Sequence, residues 1–213
     1  MLRLVIAGAA VGLGAVLLSS CATMSEDQCM AGDWGGQGLK DGAEGLLMSR
    51  LEDHAKACAK VGVVPDERAY FSAREDGLRR YCTVEGGFEF GRRGSEYRGV
   101  CPAELEGSFL PAYRDGQIVY TAESALSTAE SNVSSAEGRL SDRQDKLADK
   151  ERELGQDGLT DAQREQIRNR IREVREEIRD ARRDLRSAEN DLEYARSQAE
   201  DVRYRFRDIY GYW

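Results

Sequence analysis

The stretch IRNRIREVREEIRDARRDLRSAENDLEYARSQAEDVRYRFRDI, residues 167–209, decides the fold. Its apolar positions step by four and three without a miss through Ile167, Ile171, Val174, Ile178, Ala181, Leu185, Ala188, Leu192, Ala195, Ala199, Val202, Phe206 and Ile209. Nearly everything between them is charged or small and polar. A 3.5-residue repeat sustained this long gathers the apolar groups into one narrow seam, which predicts a coiled coil rather than an ordinary surface helix. Upstream, Val119, Ala122, Leu126, Ala129, Val133, Ala136, Leu140, Leu147 and Leu154 keep the same steps, with Arg143 and Lys150 as the breaks. Gly155-Gln156-Asp157-Gly158 separates the two runs, and Thr160 with Gln163 has the spacing of a capping box. Two matched runs around a short glycine break predict an antiparallel helical hairpin over residues 119–213.

Alanine at alternate seam sites lets the two helices approach closely, so this rod is thin. Its arms measure about 54 Å and 75 Å at 1.5 Å per residue. With the turn near residue 156 the shorter arm ends opposite residue 194, and the rest of the chain runs back beside the preceding domain. Tyr204, Phe206, Tyr210, Tyr212 and Trp213 gather there. They are expected to fasten the rod to that domain; the alternative is an exposed partner site. Arg143 and Lys150, near the turn, either weaken the distal pairing or lift their charges off the seam. With Gly155 and Gly158 they are the candidate partner contacts.

The N-terminus gives an address. One positive charge at Arg3 precedes an uncharged run from Leu4 to Leu18 of 15 residues, short of the roughly 20 needed to span a bilayer. That pattern predicts a signal peptide over residues 1–20. Leu18-Ser19-Ser20-Cys21 resembles the lipobox of bacterial lipoproteins, which implies a diacylglyceryl group on the Cys21 thiol. Residues 21–28 are then expected as a lipidated tether, at most about 25 Å long when extended. Ala22 stands where an Asp commonly retains lipoproteins in the inner membrane. The expected place is therefore the outer membrane, facing the periplasm.

Residues 29–118 are expected to form a small helical head rich in glycine and cysteine. Cys29, Cys58, Cys82 and Cys101 are an even set in an exported chain and predict two disulfides. Their spacings lack a CxxC pair and His54 is the sole histidine, so no zinc site and no cofactor is expected. Leu47, Leu51, His54 or Ala55, and Cys58 follow the helical period and predict a helix near Asp41–Lys60; Asp66 caps a second through Tyr81. Gly86, Gly87, Gly91, Gly94 and Gly99 suggest an irregular loop, followed by a third helix near Pro102–Tyr113. If the first two helices form an antiparallel hairpin, Cys58 and Cys82 lie about 24 Å apart. That disfavours Cys58–Cys82 and, with it, Cys29–Cys101. Of the two connectivities left, the order of the elements leans to Cys29–Cys82 with Cys58–Cys101.

The succession Cys29, Asp33-Trp34, Gly38, Asp41-Gly42, Gly45, Cys58, Pro65-Asp66, Tyr70, Gly77-Leu78, Tyr81-Cys82, Gly91, Gly94, Tyr97, Gly99-Val100-Cys101-Pro102 is similar to a family of small proteobacterial lipoproteins known as a domain of unknown function, the 2799 type. The resemblance covers residues 29–116. It implies an envelope lipoprotein with a compact cysteine-bearing head, and it implies no activity.

A net charge of −8 argues against a general affinity for nucleic acid. No segment carries a catalytic signature, and no enzyme is expected. Gly35-Gly36-Gln37 is a chance tripeptide, and His54 beside Asp53 reads as a surface or boundary residue. Arg79-Arg80 and Arg92-Arg93 read as solvated charge, with contact to anionic headgroups as the alternative. The whole is expected to be all-α, a structural or protein-interaction lipoprotein. Its expected partners are the bilayer, through acylated Cys21, and an unidentified envelope protein. A ligand-binding or hydrolytic head using Asp33, Trp34, His54 and Glu75 is the alternative, and self-association of the rods into four-helix bundles is a third.

Overall fold

The computed structural model describes residues 23–211, and every regular element among them is helical. The signal segment, Cys21, Tyr212 and Trp213 lie outside the described residues. Seven α-helices follow in order: α1 (Glu26–Ala31), α2 (Trp34–Ala43), α3 (Arg50–Cys58), α4 (Glu67–Tyr81), α5 (Val84–Arg92), α6 (Ala103–Leu154) and α7 (Asp161–Tyr210), with one 3₁₀ turn at Ala59–Val61. The last two pack along each other as the expected hairpin.

The rod forms for the reasons its seam gives. Thr160 caps α7 with a full capping box through Gln163, and Ile167, Ile171, Val174, Ile178 and Ala181 are buried. Farther from the turn Ala129 and Ala136 on α6 and Ala195 and Ala199 on α7 are buried as well. Arg143 turns its guanidinium off the seam to Glu177 at 2.9 Å, and Arg175 and Arg203 bridge the arms to Glu151 at 2.8 Å and Glu123 at 2.9 Å. At about 78 Å, α6 is longer than the arm expected from its seam alone. The predicted helix at Pro102–Tyr113 and the rod's first arm are one helix, so the boundary placed at 118/119 falls inside α6.

In the head the structure corrects the sequence-based expectation. The helix expected over Asp41–Lys60 is two helices, parted at residues 44–49. The first half of the glycine stretch expected as a loop is α5, whose Gly87 and Gly91 are buried, while Gly94 and Gly99 lie in the loop that follows. The reason lies in how helices meet here. A Cβ on Gly38 would collide with the Tyr70 carbonyl, and one on Gly42 with the Arg74 carbonyl. A Cβ on Gly87 would run into the Phe109 carbonyl, and one on Gly91 into the Tyr113 carbonyl. These glycines are contact surfaces that let backbone touch backbone. Gly38 and Gly42 meet Tyr70 and Arg74 in the same chain direction, so α2 and α4 are parallel. By the same test α5 and the start of α6 are parallel.

The two pairs are built alike. Gly38, Gly42 and Gly45 keep the spacing of Gly87, Gly91 and Gly94. Their partners Tyr70, Arg74, Gly77 and Tyr81 keep the spacing of Phe109, Tyr113, Gly116 and Tyr120. Gly77 sits against the Leu39 carbonyl as Gly116 sits against that of Phe88. Gly45 and Gly94 both take positive φ, 66° and 70°, under the rings of Tyr81 and Tyr120. The Arg74 guanidinium donates to the Leu46 carbonyl in the loop after α2, and the Tyr113 hydroxyl donates to the Ser95 carbonyl, at 2.9 Å, in the loop after α5. The head is one unit used twice.

This architecture also corrects the disulfides. They join Cys29 to Cys58 and Cys82 to Cys101, neither as the element order suggested. Each cysteine precedes a helix of its pair. In a parallel pair both N-terminal ends lie together, so these Cα atoms come within 5.4 Å and 5.7 Å, inside the span a disulfide needs. Residues 23–28, within the segment expected as the tether, are held against the head. Met24 is buried in a cluster with Cys29, Trp34, Leu51, Cys58 and Tyr70, and Ser25 caps α1 with a capping box.

Gly42→Ala and Gly91→Ala should each lower stability by about 2–3 kcal/mol, because the added methyl meets backbone that cannot yield. Gly138→Ala, where nothing lies within 4 Å of the added carbon, should raise it by about 0.5–1 kcal/mol. Urea denaturation of the chain without residues 1–20 measures both.

Candidate functional site

The first unit holds a polar cluster that its twin lacks. Asp41 on α2 and His54 on α3 are each 1% exposed. Asp41 Oδ2 accepts from the Tyr70 hydroxyl at 2.6 Å and from His54 Nε2 at 2.8 Å, and Oδ1 accepts from Gln37 Nε2 at 2.7 Å. Those donors offset the cost of taking a carboxylate out of water. With Nε2 turned to Asp41, the ring's second hydrogen-bonding position, Nδ1, faces the start of the described chain. The Thr23 hydroxyl fills that position at 2.7 Å. At the matching positions of the second unit stand Phe90 and Phe109, which pack with Tyr81, Tyr97 and Tyr113. The helix pair therefore closes without Asp41 or Tyr70, and the cluster is an addition to the scaffold.

The order hydroxyl, imidazole, carboxylate is also that of an activated nucleophile, which needs an accessible hydroxyl and donors for a developing oxyanion. Here Thr23 is half-buried, and the apolar groove lined by Met48, Leu51, Ala55, Val64 and Phe71 includes none of the three groups. The four residues considered for a reactive head are parted. Asp33 caps α2 at the Gly36 amide, Trp34 is buried in the first cluster, His54 faces Asp41, and Glu75 is exposed on α4. His54, expected at the surface or boundary, is buried because its carboxylate partner comes from another helix. The periodicity of its own helix carries no trace of that partner. Among the described residues no group of three His, Cys, Asp or Glu side chains is placed to hold a metal ion.

At the far end of the rod, Lys150 pairs with Glu153 at 2.5 Å and lines a cleft of about 470 Å³ with Leu159, Gln163, Ile167 and Arg170. Gly155 ends α6, and Gly158 in the turn takes a φ of 79°. Arg143 lies lower on the rod, paired across the seam. At the base, Phe206 is buried with Phe88, Ala112 and Val119. Tyr210 stacks on Phe88 with ring centroids 4.0 Å apart and donates to Asp115 at 2.7 Å. The rod is thus fastened to α5 by Phe206 and Tyr210, two of the aromatics expected to do so. Tyr204 takes no part in that packing: it is exposed, with the Arg207 guanidinium 5.0 Å from its ring centre.

Residues 33–118 match the model of the family described as "Protein of unknown function (DUF2799)". The match begins at the cap of α2 and ends on α6 just past Gly116, so it takes in both glycine-seated pairs and leaves the rod outside. No curated protein and no solved structure matches the chain.

Asp41→Ala strands the buried donors of Tyr70, His54 and Gln37 and should cost about 3 kcal/mol, against under 1 kcal/mol for Asp53→Ala on the exposed face of α3. Urea denaturation distinguishes them. Burial, and then the hydrogen bond to a carboxylate, hold the Tyr70 and Tyr210 hydroxyls above the usual tyrosine range; burial and then Tyr97 do so for Tyr81. A raised folded value means the unfolded chain loses these protons first. Stability should therefore be unaffected by these groups below about pH 10 and fall as pH rises beyond it. Tyrosinate absorbance should show part of the tyrosine set still protonated at pH 11.

Proposed function

We propose that the chain is a lipid-anchored envelope protein acting as a structural or protein-interaction module, held in the outer membrane by acylated Cys21 and presenting its hairpin to the periplasm. One observation carries the reading: the rod is not hung on a linker but grows out of the head as the same helix, α6, and its return arm is stacked onto α5 through Phe206 and Tyr210. Such a joint transmits position over the roughly 54 Å from Val119 to the turn, which suits a spacer or docking arm. Two disulfides in so small a head suit an oxidising compartment. No helix among the described residues is long and apolar enough to cross a membrane.

Two variants separate anchor from arm. Cys21→Ser should move the protein from the membrane fraction to the soluble periplasm, with the acyl mass gone from its N-terminal peptide. Shortening both arms by two heptads should leave the protein in the membrane and abolish in-cell cross-links formed from the Gly155–Gly158 turn. Unchanged cross-links in the shortened protein would refute the arm.

A further inference from the structure

We infer that the first helical unit is a membrane-apposed foot: the Asp41–His54 pair clasps the chain at Thr23, so the bilayer that receives the acyl chains of Cys21 lies directly against the face of the first unit where Thr23 meets His54. The placement rests on the lipid anchor of the proposed function and adds to it a fixed distance and a fixed face.

Three observations converge on this. The chain is held from Thr23 onward, by the hydroxyl on His54 Nδ1 at 2.7 Å, by Met24 at 5% exposure in the core, and by the capping box of Ser25 with Gln28. The same short segment is clamped covalently at its other end, where Cys29 joins Cys58. And the cluster that grips Thr23 is absent from the second unit, where Phe90 and Phe109 close the same scaffold. The fold does not need the polar cluster, whereas the segment leading to Cys21 uses it.

The magnitude decides between a floating head and a seated one. An extended tether from Ala22 to Gln28 would let the head drift about 25 Å from the lipid. With Thr23 clasped, two Cα steps remain to Cys21, at most about 7 Å. That is about the thickness of one headgroup layer, half the difference between the whole bilayer and its hydrocarbon core. A head so held cannot leave the headgroups without opening the clasp.

The test uses the acylated full-length protein in phosphatidylethanolamine–phosphatidylglycerol vesicles carrying dansyl headgroups. Trp213→Phe leaves Trp34, in the first unit, as the donor for energy transfer to the lipid surface. A ten-residue Gly/Ser insertion after Ala22 leaves the head untouched and adds a root-mean-square reach of about 17 Å. It should lower transfer at least twofold. Thr23→Val with Met24→Gln, which opens the clasp without lengthening the chain, should move transfer toward the inserted form while circular dichroism stays unchanged. Equal transfer in all three proteins, each with the acyl mass on Cys21, overturns the clasp and leaves the anchor standing. A Cys21 peptide without acyl mass overturns the anchor and the seated foot together.

Discussion

Backbone pressed on backbone is the constraint from which the head follows. Where Gly42 lies on Arg74 and Gly91 on Tyr113 there is no room for a single methyl group, so each pair of helices has one depth and one register. Parallel direction comes with that contact, because the connecting segment must carry the chain back to the starting end before the second helix begins. In the first unit that return includes α3; in the second it is the shorter stretch between α5 and α6. Both returns bring a cysteine beside the one that opened the unit. The disulfides thus record the parallel packing and hold it in a domain whose apolar clusters are small.

The rod obeys a different rule and shares a helix with the head. Along α6, Gly116 faces α5 and Val119, three residues on, faces Phe206 of α7. One helix thereby serves both kinds of packing, glycine against backbone on one face and seam side chains on another. The base of the rod is a three-helix joint with α5 parallel and α7 antiparallel to α6. Stiffness there comes from aromatic stacking on Phe88 and from the continuity of α6, which runs on as one helix past Pro111 although that residue donates no ladder hydrogen bond. Ion pairs along the exposed arms add little to stability but fix which residues face each other.

The sequence made the rod plain because a seam of period 3.5 states both the element and its partner. Thr160, Gln163 and the glycines of the turn supplied the ends. The head was harder for a physical reason. Glycines at 86, 87 and 91 were read by propensity as breakers, yet a glycine against a neighbouring backbone stabilises a helix pair that propensity alone disfavours. Amphipathic spacing names the buried face of a helix and says nothing of its direction; the hairpin argument rightly sets Cys58–Cys82 aside, but the order of the elements then points to Cys29–Cys82 instead of the pairing that parallel helices make. A usable signal was present: the three-glycine spacing from Gly38 recurs from Gly87, and the Tyr70–Tyr81 spacing recurs from Phe109 to Tyr120. His54 could not be found in this way, since Asp41 and Thr23 reach it from other parts of the chain and Tyr70 holds the same Asp41 oxygen.

Peptide mapping of the oxidised protein under non-reducing conditions addresses the duplicated, parallel head most directly. Cross-linked peptides joining Cys29 to Cys58 and Cys82 to Cys101, and no others, are the outcome this architecture requires. A Cys29–Cys82 peptide as the main species would mean that the helices run antiparallel and that the glycine contacts described here do not form.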